Sequence, residues 1–373
     1  MTIAATAVPL SGSSDGALKY QSVGAFELEA GGFLPDVVLA YETWGRLNAD
    51  ASNAVLVEHA LTGSTHVARG DSDEEGWWEH LVGPGATIDT DRYFVVSVNI
   101  VGGCYGSTGP SSSAPDGKPW GSRFPLVTLR DSTVAEARLA DALGIRSWHT
   151  VVGGSMGGAR ALEWAVTFPD RVKRCAVISV GAYSTAEQIA FAQAQTLAIR
   201  QDPDFNGGDY YGQAAPEAGL ALARRIAHIT YRSAHEFDFR FGRNPQGAET
   251  PLDAARLDRR GRYQVESYLD HQGSKLVKRF DANSYIAITE ALMSHDVTRG
   301  RGALEEALSV ATAEFFIAAV NSDRLYFPEQ SRELANALPG DVPVHVIEAP
   351  IGHDGFLTEI GQLGPQLRDA FFG

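Results

Sequence analysis

Residues His149–Phe168 read HTVVGGSMGGARALEWAVTF, and their order decides the fold. A short β-branched run, Thr150–Gly153, passes through a cluster of glycines into Gly157–Thr167, which is spaced and composed as a helix. A buried strand running straight into a helix needs a sharp, strained turn, and small residues let the two elements approach closely. Ser155 sits at the tip of that turn in the pattern G-x-S-x-G. The turn exposes the hydroxyl and aims the next backbone N–H, that of Met156, at charge developing on an attacked carbonyl. The pattern alone is weak, because Gly12–Gly16 (GSSDG) matches it too. Ser14, however, stands in a polar stretch with no strand before it and no helix after it. The bland reading of Gly153–Gly157 is a glycine-rich connection without chemistry; its context favours a nucleophile.

Similar apolar runs recur on both sides. Ala54–Glu58, Tyr93–Val98 and Cys175–Val180 read as buried strands, as do Phe315–Val320 and Val342–Ile347. Thr133–Leu143 reads as a helix, and a Pro328-initiated helix ends before Gly340. Strands alternating with helices imply a largely parallel sheet with helices on both faces. The alternation breaks between about Tyr183 and Val310, where Ala186–Arg200 and Pro216–Arg232 carry helical patterns. This organisation predicts an α/β core, residues 1–182 and 311–373, with a helical cap over residues 183–310. The alternative is a separate helical domain.

An α/β core with a serine elbow places its acid and then its base on loops after later strands. Asp323 follows the FFIAAV strand and His353 follows VPVHVI, in Gly352-His353-Asp354-Gly355. His345 competes but lies within the strand, and His228, His235, His271 and His295 lie in the cap and break the order. In these roles His353 takes the Ser155 proton and Asp323 orients and steadies the imidazole. A second oxyanion donor belongs on an early strand–loop junction. His59-Ala60-Leu61-Thr62-Gly63 follows the AVLVE strand, making the Leu61 N–H the candidate. His59 reads as a structural hydrogen-bonding residue.

Such a core forms an acyl-enzyme, and the acceptor decides between hydrolase and transferase. Arg224 and Tyr231 lie about two turns apart on one helix face, among Leu220, Ala223 and Ala227. Arg224 with Asp354, next to the base, could hold the carboxylate and ammonium of an amino acid whose hydroxyl is the acceptor. The alternative leaves Arg224 on the surface and makes Asp354 a turn or helix cap.

Composition bounds these readings. The 373 residues carry 31 Lys+Arg against 46 Asp+Glu, a net charge of −15. So acidic a chain argues against nucleic acid and anionic membranes as partners. Two cysteines, Cys104 and Cys175, offer neither a disulfide framework nor a metal spacing, so a reducing cytoplasm is the expected setting. No apolar run reaches the roughly 18 residues of a membrane helix.

The motifs together resemble those of the homoserine O-acetyltransferases, a family of the α/β-hydrolase fold. The matching segments are Tyr41–Gly45 (YETWG), Glu58–Gly63 (EHALTG), Asn99–Pro110 (NIVGGCYGSTGP) and Phe124–Asp131 (FPLVTLRD). Gly153–Ala165 (GGSMGGARALEWA), Ala227–Arg232 (AHITYR), Val265–Leu269 (VESYL), Arg279–Tyr285 (RFDANSY) and Gly352–Leu357 (GHDGFL) continue the series. The resemblance implies Ser155, Asp323 and His353 as a catalytic triad and Arg224 and Asp354 as homoserine-binding residues, with Tyr231 nearby. It implies a ping-pong reaction in methionine biosynthesis, in which acetyl-CoA acylates Ser155 and L-homoserine takes the acetyl group. It further implies a homodimer joined through the cap helices and no metal or prosthetic group. The motifs do not report acyl length, so a homoserine O-succinyltransferase or a serine O-acyltransferase stays open. A simple esterase or thioesterase and a catalytically silent binding protein are the more distant readings.

Overall fold

The computed structural model describes residues 15–252 and 260–373; Ser14 and the start of its GSSDG match lie outside them. Eight strands form the central sheet: β1 (Lys19–Ser22), β2 (Val38–Trp44), β3 (Ala54–Glu58), β4 (Phe94–Val98), β5 (Thr150–Gly154), β6 (Arg174–Ile178), β7 (Glu314–Val320) and β8 (Val344–Ile347). Their order is β1-β2-β4-β3-β5-β6-β7-β8. β1–β2 and β2–β4 pair antiparallel, and every pairing from β4 to β8 is parallel. Strands β3, β4 and β5 are buried along their whole length. Leu56, Val96 and Val151 point into one apolar cluster, whereas Val55, Val57, Val95 and Val152 point into a second on the opposite face. Two-sided burial explains why these strands are continuous apolar runs rather than alternating ones.

Helix α1 (Leu129–Ala142) starts one turn earlier than its apolar spacing suggests. Thr128 and Asp131 form a reciprocal capping box there, and each satisfies a backbone N–H that the first turn leaves open. Helix α2 (Met156–Thr167) follows β5 directly. Between β6 and β7 the described residues hold α3 (Ala186–Arg200), α4 (Glu217–Tyr231), α5 (Ala234–Arg240), α6 (Gln264–Val277), α7 (Ala282–Met293) and α8 (Leu304–Leu308), and no strand. Helix α4 packs against α3 and α6. The chain closes with α9 (Pro328–Ala337), α10 (Gly355–Thr358) and α11 (Ile360–Leu367).

Two strands of the central sheet escaped the sequence reading, β1 and β2, both in its antiparallel part. The last strand begins at Val344, two residues later than expected, because Pro343 has no N–H to give the ladder. Among the described residues no helix is long and apolar enough to cross a membrane.

Candidate active site

The carboxyl ends of the parallel strands form one edge of the sheet, where open α/β folds gather ligands. Ser155 stands there between β5 and α2 with φ 57° and ψ −127°. That conformation costs a non-glycine residue on the order of 1–3 kcal/mol and must be held by its surroundings. The Ser155 N–H donates to Ile178 O at 2.9 Å. A Cβ added to Gly154 would come within 2.4 Å of the Phe356 ring, and one on Gly157 within 2.1 Å of Glu58 O. The glycines of the motif are therefore demanded by close approach.

Asp323, just after β7, and His353, after β8, meet beside this turn. Asp323 Oδ1 accepts from the Leu325 and Tyr326 N–H groups at 2.9 Å each, and Oδ2 accepts from His353 Nδ1 at 2.6 Å. A carboxylate only accepts, so the Nδ1 proton belongs to the imidazole and Nε2 carries the free lone pair. His353 is buried, and among the described residues its Nε2 has no hydrogen-bond partner, Ser155 Oγ included. Catalytic hydrogen bonds are often long in ligand-free sites and tighten when substrate binds. Burial lowers the His353 pKa, but the Asp323 carboxylate and the more distant Asp354 outweigh it and hold the pKa above the usual imidazole value. Phe356 links the parts: its ring lies against Gly154 and its centroid is 5.4 Å from that of His353. Ser322 ties the acid loop to the base loop, donating to Ala349 O at 2.5 Å and accepting from the Gly352 N–H at 3.0 Å.

The Leu61 loop is set by His59. Its Nδ1 lies 2.8 Å from Ala60 O, and Nε2 accepts from the Ile100 N–H at 3.1 Å. Burial, helped by the Arg160 charge, lowers the His59 pKa to about 3, so the ring stays neutral and keeps this accepting nitrogen. The Gly63 N–H closes the turn onto Ala60 O at 2.8 Å. Among the described residues neither the Leu61 nor the Met156 N–H donates within the protein. Met156 is the first residue of α2, so no carbonyl one turn back takes its proton.

Arg224 is half-buried, its Cζ 5.5 Å from the centroid of the Tyr231 ring and its Nη1 3.4 Å from Thr62 Oγ1. The shared helix face is therefore real. Asp354 occupies the N-cap position of α10 but makes no capping hydrogen bond. Its Oδ2 lies 3.2 Å from Arg232 Nη2 instead. The sequence reading passed over Arg232, whose only signal was its place in AHITYR; its partner lies far along the chain. Arg232 leaves α4 in an extended conformation and bridges to Gly352, while Ser233 donates its N–H to Ile351 O at 3.3 Å and its hydroxyl to Pro350 O. The segment after α4 is thus stitched to the loop that carries His353. A small cavity of about 40 Å³ lies between the elbow and helices α3, α4 and α7. Ser155, Leu61, Tyr231, Tyr326, Gln188 and Gln195 line it together with apolar side chains, and none of its described lining residues is Lys or Arg.

A strained serine between a parallel strand and a helix, with an Asp–His pair on loops after β7 and β8, defines the α/β-hydrolase class. A family model described as alpha/beta hydrolase fold matches residues 53–360. The chain is 56% identical over 347 residues to the homoserine O-acetyltransferase of Thermobifida fusca, covering 92% of this chain and 90% of that protein. The chain belongs to the homoserine O-acetyltransferase family. A crystal structure of homoserine O-acetyltransferase from Bacillus anthracis superimposes with a TM-score of 0.87 at 28% identity, covering 95% of this chain and 98% of that one. Esterase E22 superimposes almost as well, with a TM-score of 0.86 at 27% identity over 95% of this chain and 99% of that one.

Proposed function

We propose that this chain transfers the acetyl group of acetyl-CoA to the hydroxyl of L-homoserine, with Ser155 as the acyl carrier. The observation that carries the reading is the buried Asp323–His353 pair beside the strained Ser155. His353 Nε2 accepts the Ser155 Oγ proton as Oγ attacks the thioester carbonyl. The Leu61 and Met156 N–H groups receive the oxyanion, and the CoA thiolate leaves with the proton from His353. In the second half-reaction His353 takes the homoserine hydroxyl proton, that oxygen attacks the acetyl-Ser155 carbonyl, and Ser155 Oγ regains the proton. Arg224 holds the acceptor carboxylate, Tyr231 packs beside it, and Asp354 receives the ammonium through Oδ1 while Arg232 holds Oδ2. The reaction calls on no metal or prosthetic group.

Residues 183–310 act as the cap in this reading, supplying Arg224 and Tyr231. The relatives named homoserine O-acetyltransferase, 48–56% identical, support acetyl over succinyl. The setting is the cytoplasm and the assembly a homodimer through the cap helices. Esterases share the fold, so one experiment separates the readings. Brief exposure to acetyl-CoA should add one acetyl group to the peptide containing Ser155, and none in Ser155→Ala. CoA release should then depend on homoserine, and Arg224→Ala should raise the homoserine KM about 10- to 100-fold while acylation persists. CoA release that ignores the acceptor would mark a thioesterase.

A further inference from the structure

Behind the elbow lies a cluster of charges that the reaction does not use. Arg160, in the second turn of α2, is fully buried, as are its two carboxylate partners. Its Nη2 lies 2.6 Å from Glu58 Oε2, contacts Glu136 Oε1, and approaches Val98 O at 3.4 Å. Glu136 Oε2 also accepts from Trp164 Nε1 at 2.8 Å. Each member belongs to a different element. Glu58 is the last residue of β3 and leads into the Leu61 loop, Glu136 lies on α1, and Arg160 lies three residues beyond Gly157 on the same face of α2. Gly157 itself sits directly on the Glu58 carbonyl, where a Cβ would come within 2.1 Å. Two points of α2, one backbone and one ionic, are therefore seated on the end of β3. Two points fix both the position of a helix and its rotation about its axis.

We propose that Glu58, Arg160 and Glu136 form a buried ionic clamp that sets the spacing between the Leu61 and Met156 N–H groups, acting as positioning residues for both half-reactions. The clamp rests on the reading of those two groups as the oxyanion donors. One donor is carried by the loop after β3 and the other by the first residue of α2, the two elements the clamp joins. Arg160 acts on the Leu61 loop by a second route, since its charge helps keep His59 neutral and accepting from Ile100. Burial pushes the Glu58 carboxyl well above its usual range, against the pull of Arg160.

A purely stabilising cluster predicts something different, because neutral groups of similar size often replace a buried ion triad without loss of stability. The test is the triple variant Glu58→Gln, Arg160→Met, Glu136→Gln in the full chain. Three quantities are read: acylation by acetyl-CoA, deacylation by homoserine, and the affinity of a boronic acid that forms a tetrahedral adduct on Ser155. All three should fall together by about 10- to 100-fold, with the homoserine KM little changed. Wild-type rates and boronate affinity in the triple variant would overturn the clamp, as would a loss confined to the homoserine step. If the triple variant does not fold, Glu136→Gln alone, which keeps a partner for Trp164, should lower acylation and boronate affinity in parallel; wild-type values there would also overturn it. Turnover of p-nitrophenyl acetate reads the clamp even if acetyl-CoA proves not to be the donor, so the two readings fail separately.

Discussion

His353 is held in place by one neighbour and made basic by the same neighbour. Asp323 spends one oxygen on two backbone N–H groups and the other on the imidazole, so the ring has a fixed tautomer and a fixed direction. Because its pKa is raised, the neutral, proton-accepting form disappears at a higher pH than for a free imidazole. Acetyl-Ser155 formation should therefore decline as pH falls through a limb lying above the usual imidazole value. Asp323→Asn removes the charge and frees the tautomer, so the rate should drop about 10³- to 10⁴-fold and the limb should move to lower pH. Rapid-quench measurement of acylation against pH checks both. A wild-type limb below the usual imidazole value would contradict the assigned role of Asp323.

At the scale of elements, the turn between β5 and α2 is held by contacts from three directions: β3, β6 and α10. Gly154→Ala would drive a methyl into the Phe356 ring, which also packs on His353. The variant should lose about 1–3 kcal/mol of stability to overpacking and about 100-fold in acylation rate as the base shifts. Denaturant unfolding and burst kinetics measure the two losses; an unchanged protein would mean Phe356 moves freely. The elements around this turn were legible because two-sided burial writes itself as continuous Val and Ile runs, and because Asp323 and His353 each follow such a run. Strands β1 and β2 were less legible. β1 carries Lys19, Tyr20, Gln21 and Ser22 at an edge, where one side faces water and no apolar run is required. The Arg232–Asp354 and Arg160–Glu58 pairs were invisible for another reason: charge complementarity between distant segments has no local pattern.

For the whole molecule, a net charge of −15 sets the acyl donor a problem, since acetyl-CoA is itself polyanionic. Long-range repulsion is screened within about 8–10 Å in physiological salt, so only cations close to the site matter for capture. On α4, Leu222 and Ile229 lie seven residues apart on one face and, among the described residues, are both exposed. This is the face by which the proposed dimer would form. Leu222→Asp with Ile229→Asp should convert a dimer into a folded monomer in sedimentation analysis; a wild-type monomer at micromolar concentration would refute the assembly.

The stitch between the segment after α4 and the His353 loop bears on how such a site opens. Arg232 and Ser233 are bonded to Gly352, Ile351 and Pro350, next to the base itself. A cap swinging outward as a free flap would drag the imidazole away from Ser155. Whatever loosens that segment would then idle the nucleophile at the same moment. In the proposed mechanism an acetyl group on Ser155 would thereby be protected, because the motion that admits bulk water also withdraws the base that water needs to attack it.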